Sequence, residues 1–305
     1  MSVTLQNHAA QRFWKEDVVV SALWETSQAN ISLLFGEVPF ERRAAAAAAA
    51  GFEAIECWWP FAVASPSSAE VDAFVTAVGD AGVTLRGLNF FAGDMPAGDR
   101  GVVSNPLRRS EFDDSVAVAV DIGARLGVTA FNALYGNRLP GLSADQQDEA
   151  ALDALAAATE RAESIGATVL VEPVSGVPAY PLKLAGDAFA VITGVRERTQ
   201  AGRIALLADL YHLTVNGDDV RRVLTDHVDR IGHVQIADAP GRHEPGTGTA
   251  DIVDLVELLD HSGYTGGLGL EYVPAGDTVA GLTWLYELAP SLGNDVDSPA
   301  AEVIR

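Results

Sequence analysis

The sequence contains one cysteine, Cys57, and two lysines, Lys15 and Lys183, among its 305 residues. A single cysteine excludes an intramolecular disulfide framework and is typical of a reducing compartment. No apolar run approaches the roughly 18 residues that a membrane-spanning helix needs, and no secretory signal is recognisable. We therefore expect a cytoplasmic protein without a membrane partner.

Basic residues are scarce as a class, since 20 Lys and Arg stand against 42 Asp and Glu, for a net charge of −22. An acidic surface repels phosphate backbones, so we expect no nucleic-acid partner. A local cluster of Arg and His can still bind a small anion inside a cleft. Schiff-base chemistry requires a lysine amine, and only Lys183 lies in the body of the chain.

Short apolar runs alternate with alanine-rich helical stretches along most of the chain. The predicted strands are 30–35, 54–59, 84–90, 129–134, 168–174, 204–211, 232–237 and 267–272. The predicted helices are 40–50, 68–81, 109–126, 144–165, 188–196, 218–227, 252–261 and 279–288. Ser68 and Ser143 are predicted N-caps, and glycines such as Gly82 and Gly127 predict helix ends.

This alternation predicts an α/β protein with parallel strands joined by helical crossovers. Eight units in about 260 residues match a single-domain (β/α)8 TIM barrel, which typically has about 250. A doubly wound open sheet is the alternative, but no glycine fingerprint follows the first strand. We predict a barrel over residues 29–288, an N-terminal extension over 1–28 and a C-terminal tail over 289–305.

Polar residues interrupt four consecutive predicted strands near their carboxyl ends, where the active site of such a barrel lies. They are Glu172, Asp209, Gln235 and Glu271. Each spacing is close to one strand-helix unit, so the four side chains can converge. Buried carboxylates need a partner or a metal ion, and an all-oxygen set favours Mg²⁺ or Mn²⁺ over zinc. His233 is the alternative to Gln235, because both lie on one face of their strand.

The segment 231–248 reads IGHVQIADAPGRHEPGTG, a strand that ends in a glycine-bearing polar loop. Ordered polar loops at strand ends commonly contact ligands. Within the loop, the planar fork of Arg242 makes it the candidate for binding a carboxylate. His212 follows Asp209 closely enough to line the same opening. Glu56 and Asn89, on the second and third strands, are candidates for binding the substrate, although a purely structural role is an alternative for both.

The motifs together resemble those of hydroxypyruvate isomerases in the xylose isomerase-like TIM-barrel superfamily. The matching segments are ANISLLFGEVPF, GFEAIECWWP, LNFFAGDMPAGDRG, VLVEPV, ADLYHL, IGHVQIADAPGRHEPGTG and GLEYVP. The resemblance covers approximately residues 29–288. It departs from the usual pattern in the N-terminal extension and at Trp58 and Trp59, where Phe or Leu is more common.

The resemblance implies an isomerase that interconverts hydroxypyruvate and tartronate semialdehyde. It implies a divalent ion held by Glu172, Asp209, Gln235 and Glu271, with Glu172 and Glu271 also forming the acid/base pair. His212 and Arg242 are then expected near the oxygens or the carboxylate of a small anionic keto acid.

Four alternatives stay open at this stage. A longer sugar acid such as a 2-oxo-tetronate, or a ketose 3-epimerase activity, would use the same metal site. An endonuclease IV-like enzyme would need a histidine-rich zinc cluster and a basic face, which a chain with six histidines and a charge of −22 does not favour. A non-catalytic sugar-binding barrel would not need two acid/base carboxylates. Whether the chain forms a homo-oligomer is left open.

Overall fold

The computed structural model describes residues 26–287, and these form a closed barrel of eight parallel strands in sequence order, with β8 pairing back to β1. This confirms the predicted TIM barrel. The strands are β1 Gln28–Asn30, β2 Ala54–Cys57, β3 Thr84–Asn89, β4 Ala130–Asn132, β5 Thr168–Val171, β6 Ile204–Asp209, β7 Ile231–Ile236 and β8 Leu268–Leu270.

The first strand begins earlier than predicted, inside the stretch assigned to the N-terminal extension. Residues 31–37 form turns, in which the backbone N–H groups of Leu33 and Leu34 both donate to the carbonyl of Asn30. Ile31 and Leu34 are nevertheless buried. An apolar run reports burial and does not distinguish a buried turn from a strand, which explains the wrong assignment. The remainder of the extension and the whole predicted tail lie outside the described residues.

Helices surround the barrel between successive strands. They are α1 Phe40–Ala49, α2 Ser68–Ala81, α3 Arg109–Leu126, α4 Ala144–Glu163, α5 Ala185–Arg196, α6 Leu210–Asn216, α7 Val220–Asp226, α8 Ile252–His261, α9 Thr278–Gly281 and α10 Trp284–Glu287. Ser143 caps α4 as predicted, whereas the cap of α2 is Ser67, one residue before the predicted one. None of the helices within residues 26–287 is long and apolar enough to cross a membrane.

Two helical regions differ from the predictions in ways that the residues explain. The short helix α6 follows β6 directly, because the carboxylate of Asp209 accepts hydrogen bonds from the backbone N–H groups of Tyr211 and His212 and caps it. The helix predicted over 279–288 is divided into α9 and α10. Asp277 caps the first of these pieces by accepting from the N–H of Ala280.

The interior of the barrel has an apolar layer and a polar layer on neighbouring levels. Ala130, Leu170 and Leu207 form a separate buried apolar cluster. Side chains alternate along a strand, so the residue two positions further along each strand faces the same way. These residues are Asn132, Glu172 and Asp209, all buried. The pleat of β4, β5 and β6 therefore directs three polar side chains to one level at the carboxyl end of the barrel.

Candidate active site

Glu172, Asp209 and His212 come together at the carboxyl ends of β5 and β6. Each offers one ligand atom, and these atoms lie within 4.8 Å of one another. Nε2 of His212 is 3.8 Å from Oε1 of Glu172 and 3.6 Å from Oδ2 of Asp209. This cluster is the one group of at least three potential His, Cys, Asp or Glu ligands found within residues 26–287.

Arg242 connects this cluster to Glu271 at the end of β8. Its Nη2 atom lies 2.8 Å from Oε2 of Glu271 and 3.3 Å from Oδ2 of Asp209. Two buried carboxylates thus share one guanidinium, and this charge pairing offsets part of the cost of burying them. The backbone of Arg242 is left-handed, with φ of 59°.

Glu271 is surrounded by donors on its other oxygen. Oε1 accepts a 2.6 Å hydrogen bond from the indole Nε1 of Trp58 and a 3.3 Å bond from Nδ2 of Asn30. Burial raises the pKa of Glu271 to about 7, and Arg242 opposes this rise while the neighbouring Asp209 adds to it. A carboxyl group with a pKa near neutrality can exchange protons at physiological pH.

Glu172 has one strong donor on its side chain. Oε2 accepts a 2.6 Å hydrogen bond from Nδ2 of Asn132 on β4. Burial raises the pKa of Glu172 well above its usual value, and the negative charges of Glu271 and Asp209 raise it further. The site therefore gathers three buried carboxyl groups, Glu172, Asp209 and Glu271, around one arginine.

His212 is held in a neutral form with a defined orientation. Burial, and then the nearby charge of Arg242, lower its pKa to about 3. Nδ1 accepts from the backbone N–H of Ser175 at 3.1 Å, and Oγ of Ser175 lies 2.7 Å away. Because Nδ1 acts as an acceptor, the single proton of the neutral ring resides on Nε2, which faces the two carboxylates. His212 is thus a hydrogen-bond donor toward the site.

Gln235 on β7 takes part in a buried network that includes Glu56. Its Nε2 donates to Oε1 of Glu56 at 2.7 Å, and Oε2 of Glu56 lies 2.6 Å from Nε2 of His233. Oε1 of Gln235 is buried and accepts no hydrogen bond from residues 26–287. Orphaned buried acceptors are rare in native proteins, so this oxygen marks a place where an electropositive partner would bind.

The loop that follows β7 is organised by the carboxylate of Asp238. Oδ1 accepts from the N–H groups of Ala239 and Ala250, and Oδ2 accepts from those of Gly246 and Gly248, at 2.8–3.0 Å. The carbonyl of Asp238 also accepts from the N–H of Arg242. The polar loop predicted to contact a ligand is therefore ordered around one buried acid.

A cavity of about 260 Å³ opens over these groups. Glu172, His212, Arg242, Glu271, Asn89 and Trp58 all line it, together with Arg100 and the loop after β5. Glu56 is not part of its wall. Trp58, Asn89 and Met95 also line a neighbouring, more aromatic cavity of about 1040 Å³.

Several residues in contact with the site escaped the sequence predictions. Asn30, Asn89 and Asn132 each end a strand, yet only Asn89 was predicted to have a function. The signal that identified the carboxylates was a polar residue at the end of an apolar strand, and the same signal could have identified these amides. Lys183, the lysine considered for Schiff-base chemistry, instead donates from Nζ to the carbonyls of Val174 and Val177 and supports the loop after β5.

A family model described as xylose isomerase-like TIM barrel matches residues 44–288. The chain belongs to this family. A putative hydroxypyruvate isomerase from Streptomyces coelicolor is 48% identical over 261 residues, which cover 84% of this chain and 94% of that protein. The 2-oxo-tetronate isomerase of Cupriavidus necator is 35% identical over 261 residues, covering 84% of this chain and 96% of its own. These relatives confirm the resemblance drawn from the motifs, and the family member described here is an isomerase.

Among solved structures, a protein from Brucella melitensis described as AP endonuclease, family 2, superposes with a TM-score of 0.76. It is 31% identical, and the alignment covers 86% of this chain and 98% of that one. Within residues 26–287, however, the candidate ligand cluster contains one histidine and two carboxylates. The histidine-rich cluster expected of the endonuclease alternative is not assembled by the described residues.

Proposed function

We propose that this isomerase interconverts hydroxypyruvate and tartronate semialdehyde, using a divalent cation. The observation that carries the proposal is the meeting of Glu172 and Glu271, two buried carboxyls with raised pKa values, around one small cavity. The 48% identity to a putative hydroxypyruvate isomerase supports the choice of substrate.

The residues present fit a divalent ion. Glu172, Asp209, Gln235 and Glu271 offer carboxylate and amide oxygens, the donor set that Mg²⁺ and Mn²⁺ prefer. The unpartnered Oε1 of Gln235 and the three carboxyl groups buried around one arginine are the structural observations in favour of it. His212 is a poorer ligand, because its Nδ1 already accepts from Ser175 and its Nε2 bears the proton. When bound, the ion would supply Lewis-acid stabilisation of developing oxyanion charge.

The protein side chains divide the proton transfers between them. Isomerisation breaks the C–H bond at C3 and the O–H bond at O3 of hydroxypyruvate, and it forms a C–H bond at C2 and an O–H bond at O2. We assign the removal at C3 and the delivery at C2 to Glu172 and Glu271 as a pair. Nε2–H of His212 donates to a substrate oxygen as charge develops there.

Glu56 acts on the site through Gln235 in this proposal. Its carboxylate is occupied by Asn30, His233 and Gln235, and it lies outside the cavity wall. A carboxylate cannot donate, so it forces the amide nitrogen of Gln235 to face it and leaves the amide oxygen for the cation. We therefore assign Glu56 as a positioning residue, whereas Asn89, which lines the cavity, keeps its assignment as a substrate ligand.

A longer 2-oxo acid such as a 2-oxo-tetronate is the second candidate substrate. The cavity of about 260 Å³ shares Trp58, Asn89 and Met95 with the adjoining cavity of about 1040 Å³, which leaves room for a longer chain. The relative from Cupriavidus necator acts, by its name, on such a compound.

The test is proton NMR in deuterium oxide with purified protein and Mg²⁺ or Mn²⁺. Hydroxypyruvate, a 2-oxo-tetronate and a ketose are offered in parallel, and incorporation of deuterium at the carbon next to the carbonyl is followed. We expect the highest kcat/KM for hydroxypyruvate. A preference for the tetronate would favour the second candidate, and a protein that exchanges none of the three would refute the isomerase proposal for these substrates.

A further inference from the structure

The carboxylate of a substrate in this cavity requires a positively charged side chain, and Arg242 is poorly placed to serve as that side chain alone. The substrate acid must enter beside Glu172 and Glu271, which line the cavity and repel an anion when they are ionised. Arg242 already shares its Nη2 atom between Asp209 and Glu271, at 3.3 and 2.8 Å. Its Nε is buried without a hydrogen-bond partner among residues 26–287, but its charge already compensates Asp209 and Glu271. A second positively charged side chain in the cavity wall would therefore bind the substrate acid better.

Arg100, in the loop after β3, is the other arginine that lines this cavity. Its guanidinium donates through Nη1 to the backbone carbonyls of Met95 and Asp99, at 2.9 and 2.6 Å. No carboxylate among residues 26–287 lies within ion-pair distance of it, and no hydrogen bond from its Nε or Nη2 is made within that part of the chain. Two donors of a fixed planar fork remain for a ligand, a geometry that matches a carboxylate.

The loop that carries Arg100 is built rigidly. The carboxylate of Asp99 accepts from the N–H of Asp94 at 2.8 Å and from Nη1 of Arg108 at 2.7 Å. Gly101 adopts φ of +103°, and a Cβ there would collide with the backbone carbonyl of Leu134, a residue that also lines the cavity. Only glycine permits this close approach, so the backbone next to Arg100 packs directly against the segment that follows β4.

We propose that Arg100 binds the carboxylate of the substrate and selects acids over neutral ketoses, while Arg242 stays with Asp209 and Glu271. This inference rests on the proposed isomerase function and names the group that recognises the acid. It reassigns the carboxylate contact that the sequence attributed to Arg242. The physical reason is that an arginine held by backbone carbonyls keeps its full charge available, whereas one between two carboxylates does not.

The test compares an acid with a neutral analogue in Arg100→Gln, Arg100→Lys and a control, Arg109→Gln. Arg109 pairs with Asp113 at 2.8 Å at the start of α3 and lines neither cavity, so its replacement removes the same charge elsewhere. Dihydroxyacetone keeps the keto and hydroxyl oxygens and replaces the carboxylate with a neutral group. The deuterium exchange of dihydroxyacetone is measured in parallel with that of hydroxypyruvate. If dihydroxyacetone is not turned over, its inhibition constant is measured instead.

For Arg100→Gln we expect kcat/KM for hydroxypyruvate to fall roughly 10- to 150-fold, mainly through KM, the range for a charge-assisted contact. Dihydroxyacetone should change less than about threefold, Arg100→Lys should recover part of the loss, and Arg109→Gln should match the wild type. Equal losses on both compounds, with circular dichroism unchanged, would make Arg100 a support of its loop and overturn the inference. An unchanged KM in Arg100→Gln would do the same, whereas an inactive wild type would refute the isomerase proposal itself.

Discussion

Nε2 of Gln235 donates a 2.7 Å hydrogen bond to Oε1 of Glu56, and this bond determines which atom of the amide faces the site. We expect Glu56→Gln to weaken the binding of Mn²⁺ by about 10- to 100-fold, the usual effect of losing a group that orients a metal ligand. Calorimetric titration of the metal-free protein measures this directly. Glu53→Gln, an exposed position just before the same strand, is the matched control. Unchanged affinity in Glu56→Gln would contradict the positioning assignment.

Replacing either proposed acid/base residue removes proton transfer while keeping the side-chain shape. We expect Glu172→Gln and Glu271→Gln each to lower kcat by about 10²- to 10⁴-fold. Deuterium exchange at the substrate carbon is the measurement, with folding checked by circular dichroism. Glu197→Gln, exposed at the end of α5, should behave like the wild type. Near-normal turnover in either site variant would remove that residue from the acid/base pair.

Chelation tests the cation requirement independently of any substitution. Treatment with EDTA and removal of the chelator should abolish isomerisation, because the developing oxyanion would lose its Lewis acid. Mg²⁺ or Mn²⁺ added in excess should restore it, and an equal ionic strength of sodium chloride should not. Full activity in protein shown by elemental analysis to be free of divalent metal would contradict the metal assignment.

The raised pKa of Glu271 makes a prediction about the stability of the metal-free protein. Its folded-state pKa is about 7, whereas the ordinary value is 4.5. Between these pH values the unfolded chain has released the proton and the folded protein retains it. The free energy of unfolding therefore falls as pH rises through this window, by about 3 kcal/mol at roughly 1.4 kcal/mol per pH unit.

Urea denaturation of the metal-free protein at several pH values measures this fall. Glu271→Gln, which cannot ionise, should reduce the pH dependence between pH 4.5 and 7, and the raised pKa of Glu172 should account for part of what remains. Saturating Mg²⁺ should also reduce it, because the ion favours the ionised carboxylate. A metal-free wild type that becomes more stable as pH rises through this range would oppose the prediction.

Asp238 should govern the order of the loop that carries Arg242. Asp238→Asn replaces an oxygen acceptor with an NH₂ group that faces two backbone N–H donors, those of Gly246 and Gly248 or of Ala239 and Ala250. We expect faster hydrogen exchange over residues 239–250 and a clear loss of activity, since each unpaired buried donor costs about 1–3 kcal/mol. Asp254→Asn, exposed on α8, is the control. An exchange profile identical to wild type would show that the loop is held by other contacts.

Much of the barrel could be predicted because its signals are local. Strand and helix periodicities, the serine cap at Ser143 and the glycine stops repeat along the chain. One error arose where apolar residues are buried without pairing as a strand, as in the turn after Asn30. Another arose where a side chain caps a helix that was not predicted, as Asp209 does for α6. Both depend on hydrogen bonds that an apolar pattern does not encode.

By itself, the sequence determined that Glu172, Asp209, Gln235 and Glu271 lie at or beside the carboxyl ends of successive strands, because the spacing of the repeat and the two-residue alternation of strands are properties of the chain. Only the tertiary structure decided their partners. Trp58 reaches Glu271 across 213 residues, and Gln235 reaches Glu56 across 179. Closing the barrel pairs β1 with β8, so that side chains from the β2 end meet those of β7 and β8. The rotamers within the barrel then decide which oxygen faces the cavity and which is already bound. The spacing of residues along the sequence specifies neither the closure of the barrel nor the side-chain rotamers, because both depend on packing around the whole barrel.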